Sequence, residues 1–314
     1  MGGGFEAAVH RCRFIEWMPD AIHAIAANER TVAVGRATGA IEIMVPSEDY
    51  RVERRVPGKT GQSLQALCWC HGRLLGCGLD GTVFEVDLER LELKNVRDSY
   101  GGAAWCMASH PVASTLAVGC EDGKAKLFSI EDGSLEFSKS LSSTNSRVLS
   151  IAWSADGSCL YLGGADSHVR CVRALDGASV YHIKLESYLH EPTLVWSLLA
   201  LGRDTLVTGD SLGHMQFWDT ASGSLLQSFN THEADILSLA ASSNGSSVYG
   251  SGVDNKVVPS LIHLSHYCTS SHTQSTLSQQ RVPTIPSRAG KWAFSFSHRP
   301  HTHDVKALCT FTPR

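Results

Sequence analysis

The sequence is short of charge: Asp, Glu, Lys and Arg make up 18% of its 314 residues, against 43% hydrophobic ones. A disordered chain needs the reverse balance, so this composition excludes one. An excess of one sign is also missing. The formal net charge is −4, which argues against a surface coated with phosphate-binding cations and leaves room only for a local basic face. No uninterrupted apolar run approaches the length that spans a bilayer, so no membrane contact is expected. Residues 1–17 hold Glu6, His10, Arg11, Arg13 and Glu16 with no apolar stretch, so no secretory leader is read there. Glu6 stands where N-myristoylation needs Ser or Thr. A cytosolic or nuclear chain is expected.

Chemical motifs are equally scarce. There is no Gly-x-Ser-x-Gly elbow, Walker loop, dinucleotide fingerprint or His-Glu-x-x-His, so no catalytic residue, cofactor or small-molecule substrate is expected. The chain has ten cysteines but no Cys-x-x-Cys. Cys106, Cys120, Cys159 and Cys171 sit singly in apolar runs, where the thiol is a small core group. Cys68 and Cys70 flank Trp69 in a strand-like run, which puts both thiols on one face and suits core packing. His263, His266, Cys268 and His272 form one cluster, and His298, His301 and His303 another. Zinc accepts such ligands, but neither spacing matches a structural zinc motif. Asn244-Gly245-Ser246 reads as a glycosylation sequon, yet Asn-Gly is also the preferred two-residue hairpin turn, and without a leader the turn reading wins.

What is present is a repeat. A tight-turn signal recurs at Thr38-Gly39, Asp80-Gly81, Asp122-Gly123, Asp166-Ser167, Leu212-Gly213 and Asp254-Asn255, in steps of about 42, 42, 44, 46 and 42 residues. A short apolar strand ending in a small residue precedes most of these turns, as in 31–35, 74–78, 116–119, 160–163 and 206–209. An alternating strand follows several of them, as in 82–86 and 214–218. Asp-Gly between two such runs marks a hairpin, because the turn needs positive φ values. A further strand lies upstream in most units, and a more polar fourth strand closes several, as in 133–137 and 223–229. Four strands per period of this length define a β-propeller. Trp218-Asp219 and the opening Thr231-His232-Glu233-Ala234-Asp235 make it a WD40-type propeller, in which a His, a turn Asp and a Trp share a hydrogen-bond network.

The fold class expected is therefore all-β, a WD40-type propeller of about six blades plus the start of a seventh, with the ring incomplete. Blades are placed at 20–57, 62–102, 103–145, 146–188, 193–230 and 234–264. Residues 265–300, rich in Ser, His, Gln and Pro, read as an irregular loop, and 301–314 as the truncated beginning of another blade. The turn carboxylates Asp80, Asp122, Asp166, Asp210 and Asp254 invite reading as a metal or acid–base ring. Each is expected instead to fix its own hairpin through side-chain to backbone hydrogen bonds. Arg51, Arg54, Arg55 and Lys59, between the first and second blades, are joined by Arg11 and Arg13 as candidate contacts for RNA phosphates or an acidic partner. Ordinary solvated charge is the competing account, with Glu53 among them.

Several strings resemble the cirhin family, also described as U3 small nucleolar RNA-associated protein 4. They are Val9-His10-Arg11-Cys12-Arg13-Phe14 with Pro19 and Ile22, Ala66-Leu67-Cys68-Trp69, Val118 to Gly123 with Lys126-Leu127-Phe128, Gln216-Phe217-Trp218-Asp219, Lys291-Trp292, and His301-Thr302-His303-Asp304-Val305. The resemblance implies a non-catalytic scaffold of the small-subunit processome in the nucleolus. It would support ribosomal RNA transcription and pre-18S processing, with other WD40 proteins of its subcomplex and pre-ribosomal RNA as partners. The alternative is a WD40 adaptor of another pathway, such as a ubiquitin-ligase substrate receptor. Members of the family resemble two tandem propellers, so this chain is expected to be a fragment, a splice product or an incomplete gene product. Alone, it is expected to expose the flanks of its first and sixth blades and to depend on a partner.

The histidine clusters give a direct test. Elemental analysis of purified protein should find no stoichiometric zinc, and one zinc per chain would contradict the reading.

Overall fold

A computed structural model describes residues 20–59, 61–141, 146–254, 257–263, 291–294 and 306–310. Six antiparallel four-stranded meanders follow one another along the chain. Blade one is β1 (Ile22–Ala27), β2 (Val32–Arg36), β3 (Ile41–Val45) and β4 (Arg51–Val56). Blade two is β5 (Ala66–Cys70), β6 (Arg73–Cys77), β7 (Thr82–Asp87) and β8 (Glu92–Asp98). Blade three is β9 (Ala104–Ser109), β10 (Thr115–Cys120), β11 (Ala125–Ser129) and β12 (Glu136–Leu141). Blade four is β13 (Val148–Trp153), β14 (Cys159–Gly164), β15 (His168–Arg173) and β16 (Ser179–Lys184). Blade five is β17 (Val195–Leu201), β18 (Thr205–Asp210), β19 (His214–Asp219) and β20 (Leu225–Asn230). Blade six is β21 (Ile236–Ala241), β22 (Ser247–Gly252), β23 (Val257–His263) and β24 (Lys291–Phe294).

The last strand corrects the sequence reading. Residues 265–300 were expected to be loop throughout, yet Lys291–Phe294 pairs with β23 from Ser260↔Phe294 to His263↔Lys291 and completes the sixth blade. A four-residue strand beyond a long insertion has no neighbouring turn signal to reveal it. The outer strands of blades three and five also begin later than expected, at Glu136 and Leu225, because Glu131–Gly133 forms a short 3-10 turn and Gly223 belongs to the turn before β20.

The small residue near the end of each second strand has a packing reason. A Cβ built on Gly35 would lie 2.1 Å from Leu64 Cδ2, at the start of the next blade. On Gly119 it would lie 2.7 Å from Val148, on Gly163 2.8 Å from Val195, and on Gly209 2.6 Å from Ile236. Each of these aliphatic residues is buried and opens the following blade. Blade two reverses the sizes. There Cys77, not the expected Gly78, holds the position, and it faces the small Ala104 with its thiol 3.8 Å from the Ala104 carbonyl. Burial pushes the Cys77 thiol well up, so it serves as a neutral core group. Volume is exchanged across each seam, as close packing requires.

Hydrogen bonds stitch the same seams. Ser150 Oγ donates to the Val195 carbonyl at 2.7 Å and Ser197 Oγ to the Ile236 carbonyl at 3.1 Å. The indoles of Trp69 and Trp153 donate back to Ala26 and Ala108 at 3.2 and 3.1 Å. At the remaining seam, Ser238 takes the place of Ser150 and Ser197, and its Oγ accepts from Leu308 N at 2.9 Å. Cys309 packs on Val32, Val34 and Met44 of blade one. Residues 306–310 therefore lie between blades six and one, in the place of an innermost strand. They form no strand ladder there.

The turn carboxylates split into three kinds. Asp80 accepts from Thr82 N, Asp122 from Lys124 N, and Asp210 from Leu212 N and His214 N, all near 3 Å and within their own hairpins. Asp122 also pairs with Lys126, whose side chain is 4% exposed, at 2.7 Å. Asp166 adds a second engagement: its carboxylate takes both terminal nitrogens of Arg170. Burial opposes its ionisation, but Arg170 outweighs burial and holds it below the usual range. Ser167 stands at φ 65° where glycine stands in other turns, and its Oγ accepts from Thr193 N. Asp254 also reaches outside its turn, whose residues 255 and 256 lie outside the described ones. It accepts from His232 Nδ1 at 2.6 Å and from Glu233 N at 3.1 Å, tying the loop before the blade to the turn.

The His–Asp–Trp network is thus divided between blades. Blade five has the tryptophan, with Trp218 Nε1 donating to Thr208 Oγ1 at 3.1 Å; blade six has the His232–Asp254 pair. By register, Gly250 stands in blade six where Thr208 stands in blade five, opposite Leu239 as Thr208 is opposite Leu198. His232 Nε2 is consequently buried without a hydrogen-bond partner among the described residues. A Cβ on Gly250 would lie 3.4 Å from Nε2, and the one close neighbour is the flexible methyl of Met215. Gly250→Ser should therefore supply the missing hydroxyl and raise stability by about 1 kcal/mol. Chemical denaturation measures this, and a lower midpoint would contradict it.

Candidate interaction surface

Of the basic segment singled out in the sequence, Arg51, Arg54 and Arg55 lie on the outermost strand of blade one, and Lys59 in the connection that follows it. β4 pairs with β3 from Ile41↔Val56 to Val45↔Arg51, with an irregularity between Ile43 and Met44. That irregularity leaves Glu53, Arg54 and Arg55 exposed in succession. An edge strand rich in Arg also resists pairing with other sheets.

The cations there are only partly neutralised. Arg51 pairs with Glu48 at 2.5 Å, both well exposed. Glu42 is shared: it lies 2.6 Å from the buried guanidinium of Arg36 and 3.8 Å from Arg55. Arg54 donates to the Leu88 carbonyl at 2.8 Å and lies 3.8 Å from Glu53. Lys59 is exposed. Surface pairs of this kind contribute little to stability. Arg11 and Arg13 lie outside the described residues.

Beside Arg54 the structure opens a cleft of about 500 Å³ between blades one and two. Asn28, Arg30, Glu53, Arg54, Trp69 and Leu88 contribute to its wall. Asn28 shapes the rim, its Oδ1 accepting from Arg30 N at 2.9 Å and Thr31 N at 2.8 Å. Sequence reasoning missed Arg30 and Trp69, because nothing local says that the turn after β1 and the end of β5 meet β4. With an indole wall and two guanidinium groups set against Glu29 and Glu53, the cleft suits a planar polar group.

No group of three or more His, Cys, Asp or Glu among the described residues could hold a metal ion. The residues of the two histidine clusters lie outside the described ones, except His263, which ends β23. No helix among the described residues is long and apolar enough to cross a membrane.

Comparison with known proteins agrees with this architecture. The WD domain, G-beta repeat family matches residues 94–129, 135–172 and 223–258. Each match starts on or just before the outer strand of one blade and runs into the third strand of the next. The sequence repeat therefore straddles two blades. U3 small nucleolar RNA-associated protein 4 homolog of Homo sapiens is 33% identical over 310 residues, covering 96% of this chain and 42% of the relative. The proteins named U3 small nucleolar RNA-associated protein 4 in Schizosaccharomyces pombe and Saccharomyces cerevisiae are 31% and 30% identical, each over 96% of this chain and 42% and 40% of their own length. The chain thus spans about two-fifths of the curated relatives it matches. The chain is a WD40-repeat β-propeller, similar along nearly all of its length to the proteins named U3 small nucleolar RNA-associated protein 4.

Proposed function

We propose that this chain is a non-catalytic scaffold of the small-subunit processome. It acts in the nucleolus, where it supports ribosomal RNA transcription and pre-18S processing. Its partners are other WD40 proteins of the same subcomplex and pre-ribosomal RNA. The observation that carries the reading is similarity to the U3-associated proteins along 96% of the chain, in order and not in isolated repeats. The physical design is consistent with it. Core cysteines raised by burial, turn carboxylates engaged in hairpins, and cations on an outer edge make a rigid body with contact surfaces. We also read residues 301–314 as the beginning of a seventh blade, since 306–310 occupy an innermost-strand position against Ser238.

Copurification with a tagged chain tests the role. Ribosome-assembly factors and U3 RNA are the expected companions, with the chain in nucleoli. Recovery of cullin-ligase subunits in their place would favour the adaptor reading.

The basic edge makes a sharper prediction. Reversing Arg54, Arg55 and Lys59 to Glu should weaken RNA or partner binding about tenfold near 0.15 M salt and flatten its salt dependence. The melting temperature should stay within about 2 °C, because exposed pairs stabilise little. Unchanged binding would reduce these residues to solvated charge.

A further inference from the structure

Two tryptophans occupy one position in different blades. Trp105 and Trp196 are the second residues of β9 and β17, each where a bulge interrupts the pairing with the next strand. Bulged residues are aimed away from the regular pleat. Both indoles are anchored by a carboxylate: Trp105 Nε1 donates to Glu121 Oε2 at 2.6 Å, and Trp196 Nε1 to Asp235 Oδ2 at 2.7 Å.

Their surroundings differ in one respect. The Arg147 guanidinium lies over the Trp105 ring, 5.4 Å from its centroid, and its Nε is 3.4 Å from Glu121. Ring, cation and carboxylate thus make a closed set. Arg147 immediately precedes β13, and the residue in the matching place before β21 is Asp235. Glu121 stands two residues before the turn glycine Gly123, and its counterpart before Gly213 is Ser211, whose Oγ accepts from Leu194 N at 3.0 Å. At the seam of blades five and six the carboxylate has therefore moved to the cation's place, and among the described residues no cation covers Trp196. A second carboxylate is close in charge: Asp210, buried at 1% exposure, is pushed up by burial, with Asp235 adding to the effect. The loop leading into β17 adds exposed apolar surface, with Tyr188 65% and Leu189 76% exposed. Leu189 and His190 are held there at φ 50° and 65° in a turn closed by Glu191 N on the Tyr188 carbonyl.

We propose that Trp196 and Asp235 form a docking point for an arginine side chain of a partner polypeptide, which completes at blades five and six the set that Arg147 completes internally at blades three and four. The guanidinium would stack on the indole and pair with Asp235, as Arg147 does with Trp105 and Glu121. The proposal does not depend on the assembly role and fails or stands separately from it.

The test follows the tryptophan indole N–H resonances of the 314-residue chain by NMR, with Trp196→Phe and Trp105→Phe assigning the two signals. The probes are an acetyl-Gly-Arg-Gly-amide peptide, its citrulline counterpart, which keeps the shape without the charge, and an oligouridylate. The Trp196 signal should shift saturably with the arginine peptide, and citrulline or Asp235→Asn should weaken binding at least fivefold. In Arg147→Ala the Trp105 signal should begin to respond as well. A Trp196 signal that stays still, that responds equally to citrulline, or that responds to the oligouridylate alone would overturn the proposal, the last in favour of a nucleobase.

Discussion

The structure depends on one exchange of volume, repeated from seam to seam. A residue near the end of the second strand yields space to the residue that opens the next blade: Gly35 to Leu64, Gly119 to Val148, Gly163 to Val195, Gly209 to Ile236. A strand interior gains nothing locally from glycine, which costs roughly 0.5–1 kcal/mol relative to alanine. The cost is offset across the seam, where the incoming aliphatic side chain is removed from water and worth roughly 1.5–3 kcal/mol. Because each blade receives a side chain from one neighbour and delivers one to the other, no blade is stable by itself. This also explains why the family repeat straddles two blades.

Much of this was legible in the sequence, and what was not has identifiable causes. The period and the Asp-Gly turns are local signals, so blade number and most strands could be read directly. The small residue before each turn was visible, but in blade two the choice between Cys77 and Gly78 was settled by register with Ala66 and by the size of Ala104, which lies in another blade. β24 was hidden because its partner is reached only past an insertion. Asp166 and Asp254 look like Asp80 in sequence; that Arg170 and His232 come within their reach is decided by the fold. The basic segment was recognised, but its place on an outer strand and the cleft beside Trp69 arise from the closing of blade two onto blade one. Sequence periodicity reports what a residue does within its own sheet and is blind to the neighbouring one.

The same geometry determines how such a chain functions. Packing consumes the inner strands and most polar groups of the turns, so recognition is left to edges, rims and loops. The backbone that carries the Arg-bearing edge of blade one and the bulged tryptophans belongs to a rigid frame, with little conformational entropy left to lose. An assembly scaffold needs fixed contact groups in known directions, and a propeller supplies them at successive angles around a ring.

The exchange of volume can be tested by making one seam imitate another. Gly35→Cys alone should cost roughly 1–3 kcal/mol by overpacking against Leu64, and Leu64→Ala alone roughly 2–5 kcal/mol by leaving a cavity. Together they reproduce the pairing of Cys77 with Ala104, so a double-mutant cycle by denaturation should show the pair more stable than the sum of the single changes by at least about 1 kcal/mol. Additivity within about 0.5 kcal/mol would mean that the two residues do not share a packing site, and would contradict the account.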